Sequence, residues 1–161
     1  MNTDATLPVD VSDLSAVVPQ LKAVQPPKDL SQATIETLYA TGVDHLKTGE
    51  FEKAKKVFLL LFSHLPGDAR FSAGLAHSLM GLRDHDLASG WFTLACALDE
   101  KNAGYQLSLS RAYLGCGLRQ LARLSLRVAR LNADETTAGQ RIHQQASALL
   151  TLVENDAPIP A

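Results

Sequence analysis

The chain contains 161 residues, enough for one domain of ordinary size, and its formal net charge of −2 argues against a nucleic-acid ligand, because phosphate binding needs a basic surface. Hydrophobic residues make up 46% of the sequence but aromatic residues only 6%, so the core must consist mainly of leucine, alanine and valine. Leucine and alanine are strong helix formers, and we therefore expect an all-α protein.

The first residues show no targeting segment. Met1–Pro8 lacks a basic region, and the longest apolar runs fall far short of the roughly 18 residues that a membrane-spanning helix needs. We therefore expect a cytoplasmic protein that does not insert into a membrane, with secretion by a route that leaves no such signature as the alternative.

Residues 1–30 are expected to form a partly disordered N-terminal arm with a helix that is a candidate for dimerisation. Pro26 and Pro27 predict a linker between this arm and the rest of the chain. Four apolar residues would line one face of a short or kinked helix: Val11, Leu14, Val18 and Leu21.

A step of 34 residues then divides the chain into the repeats Ile35–Asp68, Ala69–Asn102 and Ala103–Thr136. The eighth residue of each repeat is small, the twentieth is alanine, the twenty-fourth is large and apolar, and the twenty-seventh is leucine or alanine. This period is typical of the tetratricopeptide repeat (TPR), a pair of antiparallel helices whose small residues mark close helix crossings. The four columns hold Gly42, Ala76 and Ser110; Ala54, Ala88 and Ala122; Phe58, Phe92 and Leu126; and Leu61, Ala95 and Ala129.

Local signals place one helix pair in each repeat, so residues 31–154 are predicted to form a right-handed superhelical solenoid. A capping helix at about 136–154 would cover the third repeat, and residues 155–161 would be a disordered tail. We expect the N-terminal arm to cover the opposite end, either within its own chain or in a dimer. The paired helices are predicted at Ser31–Thr48 and Phe51–His64, at Ala69–Leu82 and Asp86–Leu98, and at Asn102 to the Gly115–Gly117 turn and Arg119–Leu131.

Two stretches of the first repeat, E-T-L-Y-A-T-G at Glu36–Gly42 and G-E-F-E-K-A-K-K-V-F at Gly49–Phe58, resemble the class II chaperones of type III secretion, the SycD/LcrH/IpgC-type family. The resemblance continues through D-A-R-F-S-A-G-L at Asp68–Leu75 and covers about Ser31 to Asn132. It implies a protein that keeps hydrophobic translocator subunits soluble and competent for secretion in the bacterial cytoplasm. The resemblance also implies a role in virulence, homodimerisation, and a side role in regulating the secretion genes.

In a TPR array the first helix of each pair lines a concave groove, and its second, fifth, ninth and twelfth positions point into that groove. The resemblance implies that an extended translocator segment lies there, held by apolar anchors, with the basic residues left for its backbone carbonyls or acidic groups. Tyr39 and Leu46 could instead pack within the array. The predicted groove residues are Glu36, Tyr39, Val43, Leu46, Arg70, Ala73, His77, Met80, Leu107, Arg111 and Leu114.

No motif of the sequence predicts catalysis, a metal site or a cofactor. The five histidines are scattered, and Cys96 and Cys116 lack a CxxC context and are read as small buried residues. Trp91 precedes the packed Phe92 and is either a second interaction site or partly buried against a neighbouring helix. We therefore expect a binding protein rather than an enzyme.

A second function stays open at this point: a general TPR scaffold or adaptor, including a chaperone for another secretion-apparatus subunit such as the needle. A co-chaperone that grips the C-terminal carboxylate of heat-shock proteins is excluded on chemistry. That grip needs lysine and asparagine at groove positions five and nine, where this chain has Tyr39 and Val43.

Overall fold

The computed structural model describes residues 14–25 and 30–155, which form eight α-helices and no strand. The bounds of the seven longer helices lie within one or two residues of those predicted. The predicted linker at 26–27 and most of the predicted tail lie outside the described residues. The helices are α1 (Leu14–Ala23), α2 (Gln32–Lys47), α3 (Phe51–His64), α4 (Ala69–Gly81), α5 (His85–Leu98), α6 (Ala103–Gly115), α7 (Arg119–Asn132) and α8 (Thr137–Glu154).

The helices that open each repeat begin at a residue whose side chain caps the first turn. Asp68 and Asn102 were predicted as caps, and their side chains accept hydrogen bonds from the backbone N–H groups of Arg70 and Tyr105. Ser31 and Thr136 cap α2 and α8 in the same way. The second helices α3 and α7 lack such a side-chain bond. They follow tight turns in which Gly49 (φ 76°) and Gly117 (φ 75°) adopt a backbone conformation that favours glycine.

Consecutive helices pack against one another from α2 to α8, and α2 also contacts α4, as α6 contacts α8. The chain therefore forms three stacked hairpins, α2–α3, α4–α5 and α6–α7, followed by the single helix α8. This is the predicted all-α solenoid. We call the face formed by the first helices α2, α4, α6 and α8 the inner surface, and the face formed by α3, α5 and α7 the outer surface.

Phe58 of α3 joins the first two hairpins. Its side chain is fully buried, and its ring lies against Gly42 of α2 and Gly74 of α4. A Cβ atom at Gly42 would come 2.8 Å from the ring, and one at Gly74 would come 2.5 Å from it. The small residues of the repeat pattern therefore make room for the large residue at position twenty-four.

Most of the buried hydrophobic side chains belong to two clusters. The larger one, which we call the aromatic core, contains Phe58, Phe71 and Phe92 and extends from α2 to α6. The smaller one, the aliphatic core, lies between α6, α7 and α8. Its buried members are Leu107, Leu126, Ala129, Ala146, Leu150 and Val153.

The alternative that the arm covers the free side of α2 in a dimer stays a prediction, because within its own chain helix α1 lies elsewhere. It packs against α5, and the main chain of Leu21 and Lys22 lies so close to Gly67 that a Cβ there would be 2.6 Å from the Lys22 Cα. Its described part therefore covers the second repeat and the turn after α3 rather than the free side of α2. The exposed residues of α2 include Thr37, Thr41 and other small or polar residues, which are suited to contact with water.

Candidate peptide-binding groove

Tyr39 lies half-buried at the start of the inner surface. Its ring packs edge-on against Phe58, with 6.0 Å between the ring centroids, and at a tilt against Phe71 at 6.1 Å. The guanidinium group of Arg70 lies over the same ring, 4.9 Å from its centroid. The alternative that Tyr39 packs within the array therefore accounts for part of its surface, and the remainder faces solvent.

Arg70 links the first two repeats. Its Nη1 and Nη2 atoms donate to the two carboxylate oxygens of Glu36, each at 3.1 Å, and its Nε and Nη2 atoms donate to Asp68. These bonds raise the pKa of Arg70, with Asp68 the larger cause, and the bond from Arg70 is the largest cause that lowers the pKa of Glu36. With two carboxylates already bound, Arg70 holds α2 and α4 together and has little capacity left for a partner.

His77 lies in the middle of the inner surface. Its side chain is exposed, yet its pKa is lowered, first by desolvation and then by the positive charge of Arg111. Its ring also meets the buried Phe92 edge-on, with 4.8 Å between the centroids. The exposure of the side chain and the lowered pKa are compatible, because a residue on the floor of a concave surface is open to solvent on one side and surrounded by protein on the others.

Five predicted groove residues offer apolar side chains that are half-buried: Tyr39, Val43, Leu46, Met80 and Leu114. All pack on one side against the aromatic or the aliphatic core. Met80 also accepts a contact from His85, with 3.3 Å between its sulfur and the ring Nδ1. These residues make part of the inner surface apolar, and their side chains do not protrude from it.

Ala73 and Leu107 differ from the prediction. Each is only 4% exposed, so neither offers an open side chain to a partner. Leu107 belongs to the aliphatic core, because α8 packs over this side of α6. The groove prediction at these two positions is therefore corrected, and the other nine residues stay a prediction.

Sequence reasoning missed Gln145 of α8. Its Oε1 accepts a hydrogen bond from Nη2 of Arg111 at 3.0 Å, and the two residues are 34 positions apart. His77, Arg111 and Gln145 thus occupy the ninth position of three successive first helices. Gln145 lies one more repeat length beyond Arg111, but the sequence pattern predicts α8 only as a cap.

The outer surface has a different character. Among the described residues, the large apolar side chains that are markedly exposed lie on or beside α1, α3, α5 and α7, and none lies on a first helix. Leu124 and Leu131 of α7 are 54% and 80% exposed. Trp91 is half-buried and packs edge-on against Phe62 at 4.9 Å, in agreement with the second of its two sequence readings.

The described part of the chain does not bring possible metal ligands together in a cluster. It contains no group of three or more His, Cys, Asp or Glu placed to bind a metal ion. Burial raises the pKa of the Cys96 thiol to about 12, and it also raises the pKa of the half-buried Cys116, so both are thiols at neutral pH. No described helix is both long and apolar enough to span a bilayer.

Several known proteins share this architecture. No protein-family model matches the sequence, and no curated protein matches it significantly. PcrH from Pseudomonas aeruginosa is 26% identical and has a TM-score of 0.74, with 78% of this chain and 95% of PcrH covered. PcrH in complex with the chaperone-binding region of PopD is 25% identical, with 80% and 96% covered and a TM-score of 0.76.

The type III secretion chaperone SycD of Yersinia enterocolitica, in complex with a peptide of the translocator YopD, is 22% identical to this chain. The match covers 80% of this chain and 98% of SycD, with a TM-score of 0.75. A SycD structure described as an alternative dimer has the same values. This chain has the fold of the type III secretion translocator chaperones. The resemblance predicted from the first two repeats is thereby confirmed, together with the TPR-type solenoid.

Proposed function

We propose that this protein is a type III secretion chaperone that binds an extended segment of a hydrophobic translocator along its inner surface. It keeps the translocator soluble and competent for secretion in the bacterial cytoplasm, and it catalyses no reaction. The observation that supports this proposal is the row of half-buried apolar side chains from Tyr39 to Leu114 on the first helices of a fold shared with PcrH and SycD.

The energetics fit a segment with a few apolar anchors. Burying a leucine-sized side chain contributes roughly 1.5–3 kcal/mol before the cost of ordering the segment is subtracted. Two or three anchors between Tyr39, Val43 and Met80 contribute roughly 3–9 kcal/mol before that cost, and the upper end of this range corresponds to micromolar binding. The apolar residues of the inner surface are recessed, which suits a partner of this kind. An extended chain can enter a groove, whereas a flat protein surface cannot.

Soluble capture tests the proposal. The chain is co-expressed with each translocator of its own secretion system, and the amount of translocator in the soluble fraction is measured. Wild-type protein should retain the translocator in solution, whereas Tyr39→Glu and Met80→Glu should abolish capture because a buried carboxylate is left without a partner. Circular dichroism must show that both variants remain helical.

Leu124→Glu is the matched control, since it makes the same kind of change at an exposed leucine on the outer surface. It should leave capture intact. Loss of capture with Leu124→Glu and retention with both inner variants would move the binding site to the outer surface. Capture of needle subunits but of no translocator would instead support the scaffold function that the sequence left open.

We further propose that the protein forms a homodimer, as the alternative-dimer structure of SycD shows for that chaperone. Sedimentation equilibrium of the full chain should yield twice the monomer mass at micromolar concentration. A monomer at all concentrations would contradict this part of the proposal without affecting the capture experiment.

A further inference from the structure

The inner surface is not uniform in charge. On α2 and α4, the guanidinium of Arg70 is neutralised by Glu36 and Asp68. On α6 and α8, Arg111 and Arg141 are both exposed, and neither forms an ion pair with any residue that the structure describes. The positive charge of the inner surface is thus paired with carboxylates on α2 and α4, whereas on α6 and α8 it has no described carboxylate partner.

The sequences of α6 and α8 explain why these two arginines have no ion-pair partner there. Helix α6 contains no aspartate or glutamate, and α8 contains only Glu154 at its last position. Glu154 binds Nη2 of Arg127 on α7 at 3.1 Å and is therefore already engaged. No acidic side chain of the two helices is available to Arg111 or Arg141.

Arg111 is held in place without being neutralised. Its one described hydrogen bond goes to the neutral amide oxygen of Gln145, at 3.0 Å, and this bond anchors one end of the guanidinium fork. Its positive charge is also the second cause, after desolvation, of the lowered pKa of the neighbouring His77, so the two groups lie close enough to interact. A positioned guanidinium with free N–H groups is well suited to a carboxylate, which it binds with two parallel hydrogen bonds.

Arg141 extends the same feature onto the last helix. It occupies the fifth position of α8, one repeat length beyond Leu107, and is exposed where Leu107 is buried. Arg111 and Arg141 therefore stand at groove positions nine and five of two helices that pack against each other. Both lie toward the C-terminal end of the array, beyond the apolar positions Tyr39, Val43 and Met80.

We propose that the inner surface is bipartite, and that the segment it binds places apolar anchors over the first two repeats and one or more acidic side chains over Arg111 and Arg141. This inference rests on the proposed function and specifies the chemistry of the partner. A backbone carbonyl would not serve equally well, because it carries no negative charge and cannot accept two parallel hydrogen bonds in the way that a carboxylate does. The charge pairing also fixes the direction in which the segment lies along the groove.

Titration calorimetry with the full chain tests the inference. The probe is a synthetic peptide that spans the translocator segment protected from protease in the captured complex, together with peptides in which each Asp or Glu is changed to its amide. One such change should weaken binding to wild-type protein roughly ten- to a hundredfold, as expected for a hydrogen bond between charged groups. The same change should have little effect on binding to Arg111→Gln or Arg141→Gln.

Arg130→Gln provides the matched control, since Arg130 is an exposed arginine of α7 on another face of the molecule. It should bind all peptides as wild type does. Arg111→Lys should bind the acidic peptide with intermediate affinity, because lysine keeps the charge but loses the planar fork.

The outcomes separate the two proposals. Absence of any captured translocator contradicts the proposed function and, with it, this inference. In a second outcome, Met80→Glu abolishes capture, but Arg111→Gln and Arg141→Gln change neither the affinity for the peptide nor its dependence on salt. That outcome supports the proposed function and overturns only the bipartite surface.

Discussion

The N-terminal and C-terminal halves of the array use the same repeat but are packed differently. In the first half, Phe58 fits between Gly42 and Gly74, and three buried phenylalanines dominate the aromatic core. In the second half, Leu126 occupies the position of Phe58, and Ser110 that of Gly42, and the aliphatic core contains no aromatic ring. A leucine needs less space than a phenylalanine, so the facing helix can afford a larger residue than glycine.

The difference extends to the inner surface. The first half presents Tyr39, covered on one face by an arginine that is itself neutralised. The second half presents Arg111, which lies next to His77 of α4, and no acidic residue among the described ones forms an ion pair with either. One repeat pattern therefore supports two local chemistries, because the repeat constrains the residues at helix crossings and leaves the groove positions free.

The largest expected effect concerns the two cores. Phe58→Ala should lower the free energy of unfolding by about 3–5 kcal/mol, because it opens a cavity next to two glycines that cannot fill it. Leu126→Ala should cost less, about 2–3 kcal/mol, since its alanine-rich surroundings can close around the smaller side chain. Urea denaturation of both variants gives the two values. An equal or larger loss for Leu126→Ala would contradict the contrast.

A second comparison uses two helical glycines. At Gly74 a methyl group would lie 2.5 Å from the buried ring of Phe58, and the strain of about 1–3 kcal/mol should exceed the gain in helix propensity, so Gly74→Ala should destabilise. At Gly90, in the middle of α5, nothing lies within 4 Å of the same methyl group. Gly90→Ala should therefore raise the free energy of unfolding by about 0.5–1 kcal/mol. If both changes stabilised the protein, the ring of Phe58 would not be tightly packed against Gly74.

The smallest expected effect is a pH dependence at His77. Its pKa in the folded protein lies below the ordinary 6.5, so the unfolded chain binds the proton more readily. The contribution of His77 to stability should therefore be complete above pH 6.5 and decrease as the pH falls from there toward the lower folded value. Thermal denaturation of wild-type protein across this pH range should show this loss of stability. The same measurement on His77→Gln should not show it.

Nuclear magnetic resonance can assign the cause. The pKa of the His77 ring should rise in Arg111→Gln, because a neighbouring positive charge is removed, but it should stay lowered to the extent that desolvation dominates. An unchanged pKa in Arg111→Gln would show that Arg111 is neutralised in solution, which would also weaken the contrast between the two halves.

The helices were predictable because their signals are local. Asp68 and Asn102 are good caps, Gly49 permits a tight turn, and the alanine column recurs at a constant step, so each boundary follows from a few neighbouring residues. The position of α1 was not predictable in this way. It depends on a contact between Gly67 and the end of α1 across more than forty residues of chain, and the same glycine also reads as an ordinary helix stop.

The groove was predictable only in part. Its positions follow from the repeat, and the chemistry of Tyr39, Met80 and Arg111 could be read from the sequence. The burial of Ala73 and Leu107 could not, because it depends on how closely the next helix approaches. The saturation of Arg70 by two carboxylates likewise depends on rotamers and on the distance between repeats, neither of which the sequence pattern contains.

The bonds between Glu36 and Arg70 and between Arg111 and Gln145 both join residues 34 positions apart, and each connects one inner helix to the next. Such bonds favour one angle between neighbouring units, and we expect them to reduce variation in the curvature of the array at both ends. A rigid receptor loses little conformational entropy when a flexible segment enters it, and nearly all of that loss then falls on the segment. Affinity should consequently depend more on how extended the free segment already is than on any movement of the receptor.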